Sequence, residues 1–187
     1  MRRFLLIGSV LALTTQFALA QGTPPSAPGS AGRIDDPLEI TSVRVLAGHP
    51  DYGLPRQRIA LGRGAPAISA IFFAKGSGQI SGHWELAMPA DGAPTTTDLT
   101  PTPALSATAR LNQRRFKRLE AFSFSLSPGD RHVIHGPAID AQTLSQIGRY
   151  HIVLRIDSVS SISSGASVLP AQVPAAIIEV ESSEVKN

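Results

Sequence analysis

The chain contains no cysteine at any of its 187 positions. That excludes a disulfide framework, a zinc–thiolate site, a thiol nucleophile and a lipid-anchored N-terminal cysteine. Charge is sparse, at 17% of residues, yet 42% are hydrophobic, which argues against a wholly disordered chain. No period of 20–50 residues recurs, so a propeller or solenoid is not expected. Beyond the first twenty residues no apolar run approaches the length needed to cross a bilayer.

Those first twenty residues have the three parts of a secretory signal: Arg2 and Arg3, then an apolar stretch from Phe4 to Leu13, then Ala18-Leu19-Ala20. The chain is therefore expected to be exported, periplasmic or secreted, with Gln21 as the new N-terminus. Its formal net charge is +3, but Arg2 and Arg3 carry two of those charges, leaving +1. A basic isoelectric point consequently says nothing about a partner. Residues 22–32 hold no apolar side chain larger than alanine and read, within a 21–37 segment, as a flexible Pro/Gly/Ser-rich arm. One domain over 38–181 and a short disordered tail, 182–187, complete the expected organisation.

Within the domain the dominant period is two. In 79–88, Ile80, Gly82, Trp84, Leu86 and Met88 share one face, with Ser81, His83, Glu85 and Ala87 on the other. In 150–157, Tyr150, Ile152, Leu154 and Ile156 alternate with His151, Val153, Arg155 and Asp157. Further strands are expected at 40–46, 57–61, 67–74, 119–126, 131–135 and 175–181. Residues 74–78, with glycines at 76 and 78, read as a hairpin connection, and Ser127-Pro128-Gly129-Asp130 as a second turn. Short strands punctuated this way predict an all-β antiparallel sandwich or small barrel.

One stretch breaks the pattern. Residues 89–109 hold four prolines and six threonines without an aromatic ring, and read as a long loop, a class often mobile or functional. Just after it, Arg110, Arg114, Lys117 and Arg118 recur at helical spacing opposite Leu105, Ala109, Asn112, Phe116 and Leu119. That predicts a short amphipathic helix near 105–119, with a twisted edge strand as the competing reading.

Gly148-Arg149-Tyr150 followed by Ile152, Leu154 and Ile156 resembles the penultimate strand of immunoglobulin-like sandwiches. There a tyrosine near the strand start hydrogen-bonds back over the corner and a cysteine follows two residues later. Ile152 takes the cysteine position, Trp84 resembles the core tryptophan of the third strand, and an apolar residue near Ala70 would face Ile152. The run Gly76-Ser77-Gly78 followed by Gly82-His83-Trp84-Glu85 is also similar to exported bacterial modules of uncharacterised role, which carry a Gly-x-Trp-Glu hairpin and a downstream Gly-x-Tyr strand. The resemblance implies an immunoglobulin-like β-sandwich of about 7–9 strands, its core built around Trp84, Tyr150 and Ile152 without a disulfide. It implies no activity, because such folds host many.

Candidate chemistry is thin. His83 and Glu85 would share one solvent-facing side of a strand, as a polar pair or, remotely, as an acid/base or metal pair. Asp130, His132 and His135 cluster in sequence, but on a strand 132 and 135 point to opposite faces, so one ion cannot easily take both. Gly78-Gln79-Ile80-Ser81-Gly82 lacks the nucleophile elbow's spacing, and Gly76-x-Gly78 lacks the third glycine of a dinucleotide fingerprint. The functional lead is Arg110, Arg114, Arg115, Lys117 and Arg118, five cations in nine residues that suit anionic oxygens. The plain alternative is a solvated face partly paired with Glu120. Only Phe116 interleaves, so no nucleic-acid stacking platform is expected.

The expectation is therefore a non-catalytic binding or assembly module of the cell envelope, needing no cofactor and no metal. Its partner would be another envelope protein engaging a strand edge or end loop. The alternative is a binder of lipopolysaccharide or acidic polysaccharide through 110–118. A metal-dependent hydrolase using His83, Glu85 and the 130–135 turn is the remote third.

Overall fold

A computed structural model describes residues 36–129 and 131–182. The expected signal segment 1–20, nearly all of the arm, Asp130 and residues 183–187 of the tail lie outside them. Each expected strand segment is a strand, with its ends moved by a few residues: β1 (Glu39–Ala47), β2 (Arg56–Ala60), β3 (Ile68–Lys75), β4 (Gly78–Ala87), β5 (Lys117–Leu126), β6 (Arg131–His135), β7 (Gly148–Ser161) and β8 (Ala176–Glu181).

They form two sheets, one ordered β1-β3-β6 and the other β2-β8-β7-β4-β5. The wholly antiparallel expectation needs one correction, since β2 runs parallel to β8, with Arg56 opposite Ile177 and Ala60 opposite Glu181. The chain changes sheets between β1 and β2, so no tight hairpin dictates the direction in which β2 docks. The 74–78 hairpin is corrected for a related reason. β3 and β4 sit in different sheets, and the turn carries the chain across the sandwich rather than folding it back on itself. Gly76 makes that crossing at φ +67°, where a side chain would also meet the backbone of Asp36 and Pro37. β5 and β6 likewise lie in different sheets, so the chain after Leu126 also crosses between them.

The core lies between the sheets. Ile40, Val43, Val45, Ile68, Ala70, Phe72 and Ile134 come from one side; Ile80, Trp84, Leu86, Tyr150, Ile152, Leu154, Ile156 and Ile178 from the other. Trp84, Tyr150 and Ile152 are each 0% exposed. The Tyr150 hydroxyl donates to the Gln146 carbonyl at 3.1 Å and accepts the Gln146 N–H at 2.9 Å, pinning the corner that leads into β7. A side chain at Gly82 would run into the Arg155 carbonyl, so glycine is what lets β4 and β7 approach at their register shift.

The 89–109 segment is more ordered than a plain loop. It contains 3-10 turns at Pro89–Asp91 and Thr102–Ala104, a one-turn helix α1 (Thr96–Leu99) and a short helix α2 (Ala107–Asn112). Thr95 caps α1, accepting from the Asp98 N–H, while the Asp98 carboxylate takes the Thr95 N–H and hydroxyl in return. Ser106 caps α2. The expected 105–119 helix is thus confined to 107–112. From Lys117 the chain is edge strand β5, so the apolar stripe through Phe116 and Leu119 never forms and Leu111 is 87% exposed.

Candidate functional site

The outer face of the five-stranded sheet, away from the core, carries most of the buried charge. Alternation along β4 places His83 and Glu85 there, and alternation along β7 places Arg149, His151, Val153, Arg155 and Asp157 there. The expected solvent-facing His83–Glu85 pair is corrected: the two residues are only 5% and 2% exposed. The reason is the segment between β4 and β5, whose α1 and following turn pack against β7 like a strap.

Arg155, 2% exposed, is the hub of the contact. Its Nε and Nη2 both donate to Glu85 Oε2, at 3.1 and 2.6 Å. The remaining donors reach the strap backbone, Nη1 to the Asp98 carbonyl at 3.4 Å and Nη2 to the Arg114 carbonyl at 2.9 Å. One guanidinium thus ties two strap carbonyls to a sheet carboxylate, a fork geometry that lysine cannot copy. Asp98 and Arg114 lock the strap to itself. The Asp98 carboxylate accepts the Arg114 N–H and Nε, each at 2.8 Å, while Arg114 also donates to the carbonyls of Asp91 and Ala93. Burial alone would push the Asp98 carboxyl up; hydrogen bonds from Thr95 and Arg114 outweigh it and hold the group below the usual carboxylate range. Gln113 adds Nε2 bonds to the carbonyls of Thr97 and Thr100.

His83 closes the other end. Its Nδ1 lies 2.6 Å from Asp157 Oδ2 and its Nε2 lies 3.0 Å from Glu85 Oε1. Both ring nitrogens of His83 are therefore engaged within the protein, and the residue is 5% exposed. Asp98, Glu85 and Asp157 thus face Arg155 and Arg114 across one network. The hydroxyls of Ser81 and Ser158 are engaged with each other at 2.7 Å. Among the described residues no group of three His, Asp or Glu side chains is arranged to hold a metal ion.

The basic run divides. Arg114 belongs to the strap's interior bonding, with its guanidinium over the Phe116 ring at 5.1 Å. Arg110 donates to the Leu105 carbonyl and borders a shallow hollow beside Asp157 and Ser158. Arg115, Lys117 and Arg118 are exposed and make no ion pair among the described residues. A five-cation patch is therefore reduced to four, because the carboxylate of Asp98 claims Arg114. His132 Nε2 sits 2.9 Å from the Ser127 carbonyl, and Asp130, its expected companion, lies outside the described residues.

On the opposite side of the molecule, the outer face of β1-β3-β6 is open. A groove of about 580 Å³ is lined by Arg44, Leu46, Ile71, Phe73 and Arg131, with Pro50 and neighbouring residues of the β1–β2 loop as one wall. Arg131 fixes that wall through Asp51 at 2.7 Å and the Pro50 carbonyl at 2.8 Å. Arg44 lies over the Phe73 ring at 5.8 Å and has no ion pair among the described residues. Beside it the loop exposes Tyr52, stacked on His49 at 4.4 Å, and Leu54.

Sequence reasoning did not single out Arg155, Asp98 or the groove. A signal for the first was present, since Arg155 interrupts an otherwise apolar strand centre. For the second it was Thr95-x-x-Asp98, the spacing of a reciprocal cap. No described helix is long and apolar enough to cross a membrane. Comparison with family models, curated proteins and solved structures returns no match for this chain, so its reading rests on the geometry above.

Proposed function

We propose that the chain is an exported immunoglobulin-like module that binds another protein of the cell envelope without catalysing a reaction. The fold part of this reading is supported by strand order. β1-β3-β6 corresponds to strands A, B and E of such sandwiches, and β8-β7-β4 to G, F and C, flanked by an added strand on each side. Tyr150 occupies the corner position and Trp84 the third-strand core position.

The observation that carries the binding reading is the groove. Its floor of Leu46, Ile71 and Phe73 is apolar, and Arg44 at its rim has no ion-pair partner among the described residues. An extended segment presenting apolar side chains beside an acidic one would match both features. The occupant is accordingly a protein strand or loop bearing Asp or Glu, docked against the three-stranded sheet. Non-catalytic action is supported by the imidazole whose two nitrogens are occupied and by acidic groups tied into the strap.

The test compares wild-type chain with a Phe73→Asp, Arg44→Glu double variant as bait in native envelope extract. One protein retained by the wild type and lost with the groove variant is the expected result. Retention that ignores the groove variant, or repeated failure to retain anything, contradicts the proposal. A second reading, an anionic polymer held by Arg110, Arg115, Lys117 and Arg118, is favoured by the exposure of those cations. It requires salt-sensitive retention on lipopolysaccharide or heparin that disappears when Arg115 and Arg118 are neutralised.

A further inference from the structure

Each sheet ends in two edge strands, β1 and β6 in one, β2 and β5 in the other. An edge presents unpaired N–H and C=O groups, and folded proteins blunt it with charge, proline, irregularity or a covering segment. Three of these edges are blunted in such ways. β1 is bridged at Ile40 by Val168 and at Ala47 by Leu54. β2 follows Pro55 and carries Arg56 and Arg58, both paired with Glu179, whose carboxyl the bonds from Arg56 and Arg149 hold down to about 2. β6 is five residues long and holds Arg131, His132 and His135.

β5 is blunted over its first half only. Lys117, Arg118 and Glu120 are exposed charges, and the register with β4 shifts between His83 and Glu85. From Ala121 to Leu126 the strand has no charge, no proline and no shift in register. Among the described elements it packs broadly on β4 alone.

The open backbone groups of this half follow from the ladder. The Ile162 N–H donates to the Ser77 carbonyl at 3.0 Å around the Gly78–Ser161 pair, so Gly78 turns its own N–H and C=O toward Leu126 of β5. Leu126, Phe124 and Phe122 therefore direct theirs at β4, while Ser125, Ser123 and Ala121 direct theirs out of the sheet. The side chains of those three are exposed, and the alternating Phe122 and Phe124 are half-buried. Gly82 leaves the space that the Phe122 ring enters, and Phe124 meets the His132 ring edge-on at 5.8 Å.

We propose that this edge pairs with itself in a second copy of the chain, antiparallel about a two-fold axis at Ser123, joining two five-stranded sheets into one. The register selects the occupant. Centred on Ser123, the outward-directed residues of the two copies meet one another: Ser123 opposite Ser123, and Ala121 opposite Ser125 on both sides. Phe122 of each copy then stands opposite Phe124 of the other at non-hydrogen-bonded positions, where side chains come closest and aromatic pairs stabilise a sheet. Moving the axis toward Lys117 draws the irregular stretch 117–120 into the ladder. Moving it toward Leu126 runs the ladder into the Ser127-Pro128-Gly129 turn. The cations stay outside the paired span, since the Arg118 residues of the two copies lie about 34 Å apart along it. The pairing is independent of the docking groove, which lies on the other sheet.

A ladder this short belongs to the small, weak class of interface, so sedimentation velocity on the protein at about 0.1 mM is the first readout, and dimer is expected. Ser123→Lys sets two ammonium groups against each other at the axis and should return the protein to monomer with its denaturation midpoint unchanged. Cysteine then reads the register in a chain that has none of its own. Ser123→Cys should crosslink to its own copy under mild oxidation, because the paired Cα atoms stand about 5.5 Å apart. Ser125→Cys alone, its copies about 14 Å apart, should crosslink about tenfold more slowly or less, and gain speed when mixed with Ala121→Cys. Monomer at about 0.1 mM, a dimer that survives Ser123→Lys, or Ser125→Cys crosslinking as fast as Ser123→Cys would each overturn the proposal.

Discussion

The two sheets turn very different outer surfaces to their surroundings. Both alternate between a core face and an outer face; the outer positions of the five-stranded sheet hold His83, Glu85, Arg155 and Asp157, whereas those of the three-stranded sheet mix Arg44 and Arg131 with the apolar Leu46, Ile71 and Phe73. On the five-stranded sheet those side chains, Glu85, Arg155 and His83, are sealed beneath a strap and consumed in holding it. On the three-stranded sheet Arg44 and Arg131 rim an open groove, and only Arg131 is paired. The same period-two pattern thus encodes an internal joint on one side and an accessible surface on the other. What separates them is a segment far off in the strand pattern. Residues 89–116 supply carbonyls and one carboxylate that turn surface charges into buried ones.

This contrast can be broken most forcefully at its hub. Arg155→Met leaves Glu85 buried without its partner and should cost about 3–5 kcal/mol in chemical denaturation. Arg44→Met on the open face should change stability by no more than about 0.5 kcal/mol. Equal costs would remove the distinction between the two faces. Next in size, Arg114→Gln forfeits charge-assisted bonds to Asp98 and two strap carbonyls and should cost about 1.5–3 kcal/mol. Arg115→Gln, its immediate neighbour, should be nearly silent. Melting curves of the pair would show whether the basic run is one patch or is divided as described.

A smaller effect appears on acidification. His151 has a depressed value in the folded protein, so the unfolded chain binds its proton first and stability declines as pH falls below 6.5. Glu179 and Asp98 are also depressed, and the stability they contribute is lost as pH falls below 4.5 and 3.8 toward their folded values. His151→Gln should abolish the first decline and leave the acid limb in place, as measured by melting temperature against pH. A first decline that survives the substitution would assign it to another group.

Strand positions were legible because most strands alternate a core face with a more polar one, and Trp84, Tyr150 and Ile152 stand on the core side. Which strands pair was not legible. The 74–78 turn reads as a hairpin from its glycines, since glycine signals positive φ whether the chain folds back or crosses to the other sheet. The His83–Glu85 pair was visible as a pair, but its burial depends on Asp98, Arg114 and Arg155, which lie from 13 to 70 residues beyond Glu85 in the sequence. Local propensity does not report such closure. Proline and threonine made 89–109 look featureless, although the Thr95 and Ser106 caps show that the same residues begin helices.

The central claim is that a charged joint holds the strap to the sheet. Native-state hydrogen exchange on Asp98→Asn tests it most directly. The account predicts that amides of residues 95–116, among them the Arg114 N–H that Asp98 accepts, lose protection by about tenfold or more, well beyond any loss along the β1–β3 ladder. An unchanged strap, or an equal loss of protection in both sheets and strap, would contradict it.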